Sequence, residues 1–90
     1  MRGLIPTTRF RRDVKRLKKR GLDITPLNTV VHMLVHEVVL VPSLYNHPLK
    51  GEWSGYYECH IANDFLLIYK IIGNEIELAR TGTHADLFGM

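Results

Sequence analysis

Residues 65–80 read FLLIYKIIGNEIELAR, two apolar stretches separated by Gly73 and Asn74. Both stretches carry the branched and aromatic residues that favour β-strands, and a glycine-containing pair between them is typical of a tight hairpin turn. We therefore predict antiparallel strands at 65–72 and 75–80. A further strand predicted at 56–61 completes a three-stranded antiparallel meander.

Two helices are predicted upstream of this sheet. Apolar residues recur at helical spacing after a capping threonine, Thr7 or Thr8, and this helix ends at Gly21. A second helix opens at Thr25 and Pro26 and carries apolar residues as far as Val38. Residues 3–6 fit a short first strand. The predicted fold class is α+β, a single domain over residues 1–90 with both helices packed on one face of the sheet.

The composition indicates one folded domain inside the cell. The chain has 90 residues, of which 46% are hydrophobic and 23% charged, enough for a single modest core. No apolar run approaches the roughly 18 residues that a membrane span needs. Cys59 is the only cysteine, so an internal disulfide is impossible and a reducing compartment fits best. We expect a cytoplasmic protein without membrane contact.

Positive charge is concentrated at the start of the chain. Residues 1–20 hold nine of the twelve Lys and Arg residues against one acid, a net charge of +8, whereas the other seventy residues sum to −5. A solvated helix face and a polyanion-binding surface are both consistent with this run, and its asymmetry makes the second interpretation competitive with the first.

Side chains suited to acid–base chemistry lie in the C-terminal half. Strand ends and loops of a meander can converge, so these groups can share one cleft. The set comprises three histidines, two cations and two carboxylates: His47, His60, His84, Lys50, Arg80, Glu58 and Asp64.

This set suits metal-independent cleavage of RNA by its own 2′-hydroxyl. That reaction needs a base, an acid for the leaving 5′-oxygen and a cation for the phosphate, and histidine and arginine supply these functions. Metal binding is the competing interpretation of His47, His60, His84 and Asp64. Their spacing is unlike structural zinc sites, and Cys59 is expected on the strand face opposite His60. We therefore predict no metal and no cofactor.

Aromatic residues surround the candidate cleft. Trp53 and Tyr69 are interpreted as core residues, whereas Phe88, near His84 and the chain end, is the better candidate for stacking on an RNA base.

The segments HPLKGEWSGYYECHI, NDFLLIYK and ARTGTHADLFG, with the basic RRDVKRLKKRG, resemble the YafQ-type branch of the RelE/ParE superfamily of bacterial toxins. The resemblance covers essentially the whole chain and is densest from His47 to Gly89. It implies a RelE-like, microbial RNase-like fold and a ribosome-dependent mRNA endonuclease, or mRNA interferase, that inhibits translation. It also implies a cognate antitoxin, the ribosomal A site and mRNA as partners, and no metal.

The resemblance also assigns functions to residues. It implies His47 and His60 as base and electrostatic partners, His84 as acid and Arg80 as phosphate holder, without settling which histidine takes which role. The implied catalytic set is His47, His60, Asp64, Arg80 and His84. The implied RNA-binding set is Lys50, Glu58 and Phe88 together with the basic helix residues Arg11, Arg12, Lys15, Lys18 and Lys19.

Two positions depart from the family pattern, Glu58 where relatives tend to have aspartate and Phe65 where they can have tryptophan. The first lengthens the carboxylate arm and the second removes an N–H donor, changes that affect rate or codon preference. Two rival functions remain open: a non-nuclease, gyrase-poisoning ParE-like toxin, and an RNA- or antitoxin-binding module without catalysis.

Overall fold

A computed structural model describes residues 1–89. Within these residues, three α-helices and five strands follow one another: β1 Gly3–Pro6, α1 Thr8–Lys19, α2 Thr25–Val35, β2 His47–Pro48, β3 Tyr57–Ala62, β4 Phe65–Ile72, β5 Glu75–Gly82 and α3 His84–Phe88. The strands form one sheet in the order β1-β5-β4-β3-β2. β1 pairs parallel to β5, and every other pair is antiparallel. The predicted α+β class is confirmed.

The first helix begins and ends where its sequence signals stand. The Thr7 side chain accepts a hydrogen bond from the Phe10 backbone N–H, which satisfies one free donor of the first turn. Arg20 closes the helix, and Gly21 follows with φ +81, a conformation that glycine adopts without steric cost. The Thr7 hydroxyl also donates to the carbonyl of Leu78 in β5, so the cap fixes α1 to the sheet.

Both long helices pack on one face of the sheet. Phe10 and Leu17 of α1 and Leu27, Val30 and Leu34 of α2 join a core completed by alternate strand residues: Cys59, Ile61, Phe65, Leu67, Tyr69, Ile76 and Leu78. Because neighbouring strand residues point to opposite faces, Glu58, His60, Ile68 and Arg80 lie on the other face. The functional site is on that other face.

The structure corrects several predicted boundaries. The sheet is mixed because β1 pairs parallel to β5. It has five strands because His47–Pro48, for which no strand was predicted, pairs with β3. α2 ends at Val35, and Val38 lies outside it with half its surface exposed. β5 extends past Arg80 to Gly82, and β3 begins at Tyr57. α3 was not predicted; its five residues are too few to show helical periodicity.

Candidate active site

Strand register places four site positions in one row. His47 of β2 pairs with Glu58 of β3, Glu58 with Ile68 of β4, and Ile68 with Arg80 of β5. Residues directly opposite one another in a sheet share a face, so His47, Glu58 and Arg80 face the same side. His60, two residues from Glu58, joins them. The predicted convergence of these side chains is observed.

Glu58 lies between two histidines. Its Oε1 is 3.1 Å from His60 Nε2 and 3.6 Å from His47 Nε2, and its side chain is only 6% exposed. Nδ1 of His47 is 2.9 Å from the carbonyl oxygen of Tyr45, which can only accept, so the proton sits on Nδ1. This leaves Nε2 of His47, on the side of Glu58, as the ring nitrogen that can gain or lose a proton. The sequence predicted that Glu58 contacts RNA. Its location between the two histidines fits a role in positioning them better than a contact with RNA.

His84 is held by Asp64. Oδ1 of Asp64 accepts hydrogen bonds from the His84 backbone N–H at 3.0 Å and from ring Nδ1 at 2.8 Å. These bonds, the backbone one first, hold the pKa of Asp64 below its usual range. Asp64 occupies the β3–β4 turn at φ +51, a left-handed conformation that aspartate tolerates. As with His47, the proton on Nδ1 leaves Nε2 for chemistry.

Five rings follow one another across the site. Centroid separations are 4.5 Å from Tyr45 to His47, 5.9 Å from His47 to His60, 5.8 Å from His60 to His84 and 6.4 Å from His84 to Phe88. His60 is therefore the central ring, with another histidine on each side. Phe88, at the end of α3, closes the row as the predicted stacking candidate.

The sequence analysis missed Asp13, the partner of Arg80. Asp13 is 2% exposed, and its carboxylate accepts from Arg80 Nε at 2.7 Å, Arg80 Nη2 at 3.0 Å and the Thr81 backbone N–H at 3.2 Å. Arg16 Nη2 donates to it at 2.7 Å. The hydrogen bonds to Asp13 raise the pKa of Arg80. Its basic neighbours make Asp13 resemble an ordinary surface acid. The signal that could have found it is its spacing, three residues after Phe10 and four before Leu17, which puts it on the apolar face of the helix.

α3 is attached by a capping box and an ion pair. Thr83 and Asp86 exchange side-chain and backbone hydrogen bonds at its first turn. Both oxygens of Asp86 accept from the Arg20 guanidinium at 2.9 Å, which holds the pKa of Asp86 well below its usual range. Asp86 thereby fixes the helix that carries His84 and Phe88.

The remaining predicted residues lie outside this cluster. Lys50 is exposed, as are Arg11, Arg12, Lys15, Lys18 and Lys19 of α1, and these six cations make no ion pair within residues 1–89. Tyr69 is a core residue as predicted; its hydroxyl donates to Asn46, and burial raises its pKa to about 12. Trp53 is half-buried against Tyr56.

Three groups of the site have the arrangement of metal ligands. One ligand atom each from His47, Glu58 and His60 lies within 4.8 Å of the other two. Two imidazoles and a carboxylate form a set typical of divalent transition metals. Sequence spacing failed to indicate it because Glu58 and His47 meet across strands.

None of the helices within residues 1–89 is both long enough and apolar enough to span a lipid bilayer.

Comparison with known proteins identifies the family. The sequence profile of YafQ, described as a bacterial toxin of type II toxin-antitoxin systems, matches residues 2–89. The chain is 40% identical over 81 residues to the Escherichia coli K12 mRNA interferase toxin YafQ, covering 89% of this chain and 88% of that toxin.

Solved structures of YafQ and of a related toxin agree with the sequence comparison. The E. coli DinJ-YafQ complex superimposes with TM-score 0.90 and 36% identity, covering 99% of this chain and 100% of that one. A metal-bound toxin from Helicobacter pylori superimposes with TM-score 0.89 and 39% identity over 98% and 100% of the two chains. The family predicted from the sequence motifs is confirmed: the chain belongs to the YafQ family of bacterial toxins of type II toxin-antitoxin systems.

Proposed function

We propose that this toxin cleaves mRNA on the ribosome by histidine acid–base catalysis without a metal ion. The observation that carries the proposal is the row of three histidine rings at successive spacings of 5.9 and 5.8 Å, on the sheet face to which strand register also assigns Arg80. Two of these rings are fixed by acceptors at Nδ1, which leaves Nε2 for proton transfer. The name mRNA interferase toxin, carried by the E. coli relative, describes the same reaction class.

Ring spacing supports one assignment of roles to the three histidines. A phosphate bracketed by a base and an acid fits between neighbouring rings, and His84 has His60 as its nearest histidine neighbour. His60, whose Nε2 donates to Glu58, accepts the proton of the 2′-hydroxyl at Nδ1 as the 2′-oxygen attacks phosphorus. His84 donates a proton to the 5′-oxygen as the P–O bond breaks, leaving a 2′,3′-cyclic phosphate. His47 adds positive charge when protonated.

Arg80 stabilises the charge that develops on the phosphate oxygens. Its Nε and Nη2 are bound to Asp13, so the guanidinium is oriented before substrate arrives. Asp64 orients His84 in the same way. These two carboxylates act through another residue and are positioning residues.

The basic residues of α1 provide the ribosome contact. The five exposed cations Arg11, Arg12, Lys15, Lys18 and Lys19 can neutralise phosphates of ribosomal RNA and release counterions. The same surface suits a flexible acidic segment of a cognate antitoxin, which would block ribosome entry by occupying it. The E. coli relative is known in complex with DinJ.

Primer extension on a defined mRNA in a reconstituted translation system tests the proposal. Wild type is compared with His84→Ala, with and without ribosomes, and with His32→Ala as a matched control, since His32 is an exposed histidine of α2. We expect cuts only with ribosomes, a loss of at least about a hundredfold in His84→Ala, and wild-type cutting by His32→Ala. Folded wild type that makes no cuts would favour a non-nuclease toxin, and rapid cutting of free mRNA would overturn ribosome dependence.

Metal binding is a second candidate function of the site, favoured by the cluster of His47, Glu58 and His60 and by the metal-bound relative from H. pylori. An ion there would occupy lone pairs that proton transfer needs, so we expect it to inhibit cleavage. Calorimetric titration with Zn²⁺ tests this: binding should occur in wild type and His32→Ala and be lost in His47→Gln.

A further inference from the structure

A surface cavity shares one residue, Arg80, with the candidate active site. This cavity of about 350 Å³ is lined by Arg9, Glu52, Trp53, Tyr56, Arg80 and Leu87. Its volume lies within the range of roughly 300–1,000 Å³ that is usual for small-molecule sites. We propose that it is a guanine-selective nucleotide subsite, an inference that rests on RNA being the substrate as proposed above.

The aromatic wall suits the face of a nucleobase. Trp53 and Tyr56 stand perpendicular, with centroids 5.2 Å apart and planes at 88°. The Tyr56 hydroxyl donates to Glu77 at 2.9 Å, and Nζ of Lys70 lies 5.3 Å from the centre of the Tyr56 ring. Both contacts hold the phenol ring in place. Fixed aromatic rings bind bases at low entropic cost.

Arg80 belongs to both the active site and the cavity. Asp13 binds its Nε and Nη2, which fixes the guanidinium of this cavity-lining residue. If Arg80 holds the scissile phosphate, a base in the cavity belongs to a nucleotide directly beside that phosphate. The subsite therefore reads a position fixed relative to the cut.

Two oppositely charged residues of the cavity lining, Arg9 and Glu52, select the base. Arg9 and Glu52 are exposed, and neither makes an ion pair within residues 1–89. Guanine presents O6 and N7 acceptors, which match a guanidinium, and N1–H and N2–H donors, which match a carboxylate. Adenine and cytosine place an acceptor beside their amine, and uracil has no amine, so a carboxylate pairs less well with them. Guanine is the base that satisfies both residues.

Trp53 is the only tryptophan, so its indole N–H gives a single NMR cross-peak inside the cavity. The ¹⁵N-labelled protein is titrated with 5′-GMP, 5′-IMP, 5′-AMP, 5′-CMP and 5′-UMP. We expect saturable shifts, with GMP bound at least about fivefold more tightly than the others, including IMP, which lacks the N2 amine.

Two variants make the test specific. Glu52→Gln should weaken GMP binding at least about fivefold and remove the preference for GMP over IMP. Glu75→Gln, an exposed carboxylate at the opposite end of β5, should bind GMP as wild type does. An unshifted indole signal, or equal affinity for all five nucleotides, overturns the proposal. The titration needs no cleavage, so its failure is distinguishable from a failure of the nuclease function, which His84→Ala tests.

Discussion

The two halves of the site hold their carboxylates in opposite surroundings. In the buried half, formed by Asp13, Arg80, His47, Glu58 and His60, the two carboxylate side chains are 3% and 6% exposed. In the exposed half, formed by Asp64 and His84, the carboxylate side chain is 54% exposed. The histidines differ much less, at 28% and 32% exposed in the buried half and 40% in the exposed half. Burial strengthens hydrogen bonds and fixes geometry, at a desolvation cost to the charges.

From this difference in burial we infer that the two halves are ordered at different stages. The buried half is organised before RNA binds, because the fold itself encloses its carboxylates. The exposed half depends on hydrogen bonds that water weakens, and these strengthen when RNA or a ribosomal surface covers them. The proposed dependence on the ribosome is the behaviour expected of a site whose buried half is already ordered and whose exposed half still needs to be covered.

Removal of Asp13 should have the largest effect. Asp13→Ala leaves Arg80 and the Thr81 N–H without their buried acceptor, and loss of one partner of a buried ion pair costs about 3–5 kcal/mol. Urea unfolding measures this cost. Asp13→Asn, which keeps an acceptor oxygen, provides a milder variant if Asp13→Ala fails to fold. Asp23→Ala is the control, since exposed Asp23 accepts from the N–H of Thr25, two residues further along the chain. A loss below about 1 kcal/mol would contradict the assignment.

Glu58→Gln should separate stability from activity. Glu58 is buried with two imidazole neighbours, so removing its charge relieves desolvation and leaves the free energy of unfolding unchanged or higher. Cleavage should fall about a hundredfold because His60 loses the group that supports its proton transfer. Primer extension and urea unfolding on the same samples check both parts, with Glu75→Gln as control. Lower stability with an unchanged rate would make Glu58 a structural residue.

The sequence predicted those parts of the fold with local signals. The hairpin at Gly73 and Asn74 and the cap at Thr7 are each decided by a few neighbouring residues, and the structure has both. β2 was missed because two residues, His47 and Pro48, carry no strand pattern and pair only through tertiary context. α3 was missed because its five residues show no helical periodicity, and because Asp86, besides forming the capping box with Thr83, binds Arg20, 66 positions away.

The candidate site shows the same limit. Motifs located His47, His60, Asp64, Arg80 and His84, and the meander allowed their convergence without requiring it. The structure supplies the contacts: Glu58 lies between two histidines, and Asp13 binds Arg80. Helical spacing puts Asp13 on the apolar face of α1, but the partner that it binds depends on which elements pack there. Positioning by these two carboxylates is a proposal that rests on these contacts.

Asp64→Asn should have the smallest effect on stability. The pH dependence of this effect distinguishes the exposed half of the site from the buried half. Because bonds from His84 depress the pKa of Asp64, the stabilisation by its charge is present above the ordinary aspartate pKa of about 3.9 and is lost as the pH falls through the folded-state value. The variant should therefore melt at a lower temperature than wild type at pH 5–7, by a gap that closes in acid and shrinks in high salt. Melting curves from pH 3 to 7 measure it. A gap insensitive to salt would mean that Asp64 acts like the enclosed carboxylates, and the exposed half would then be as preorganised as the buried one.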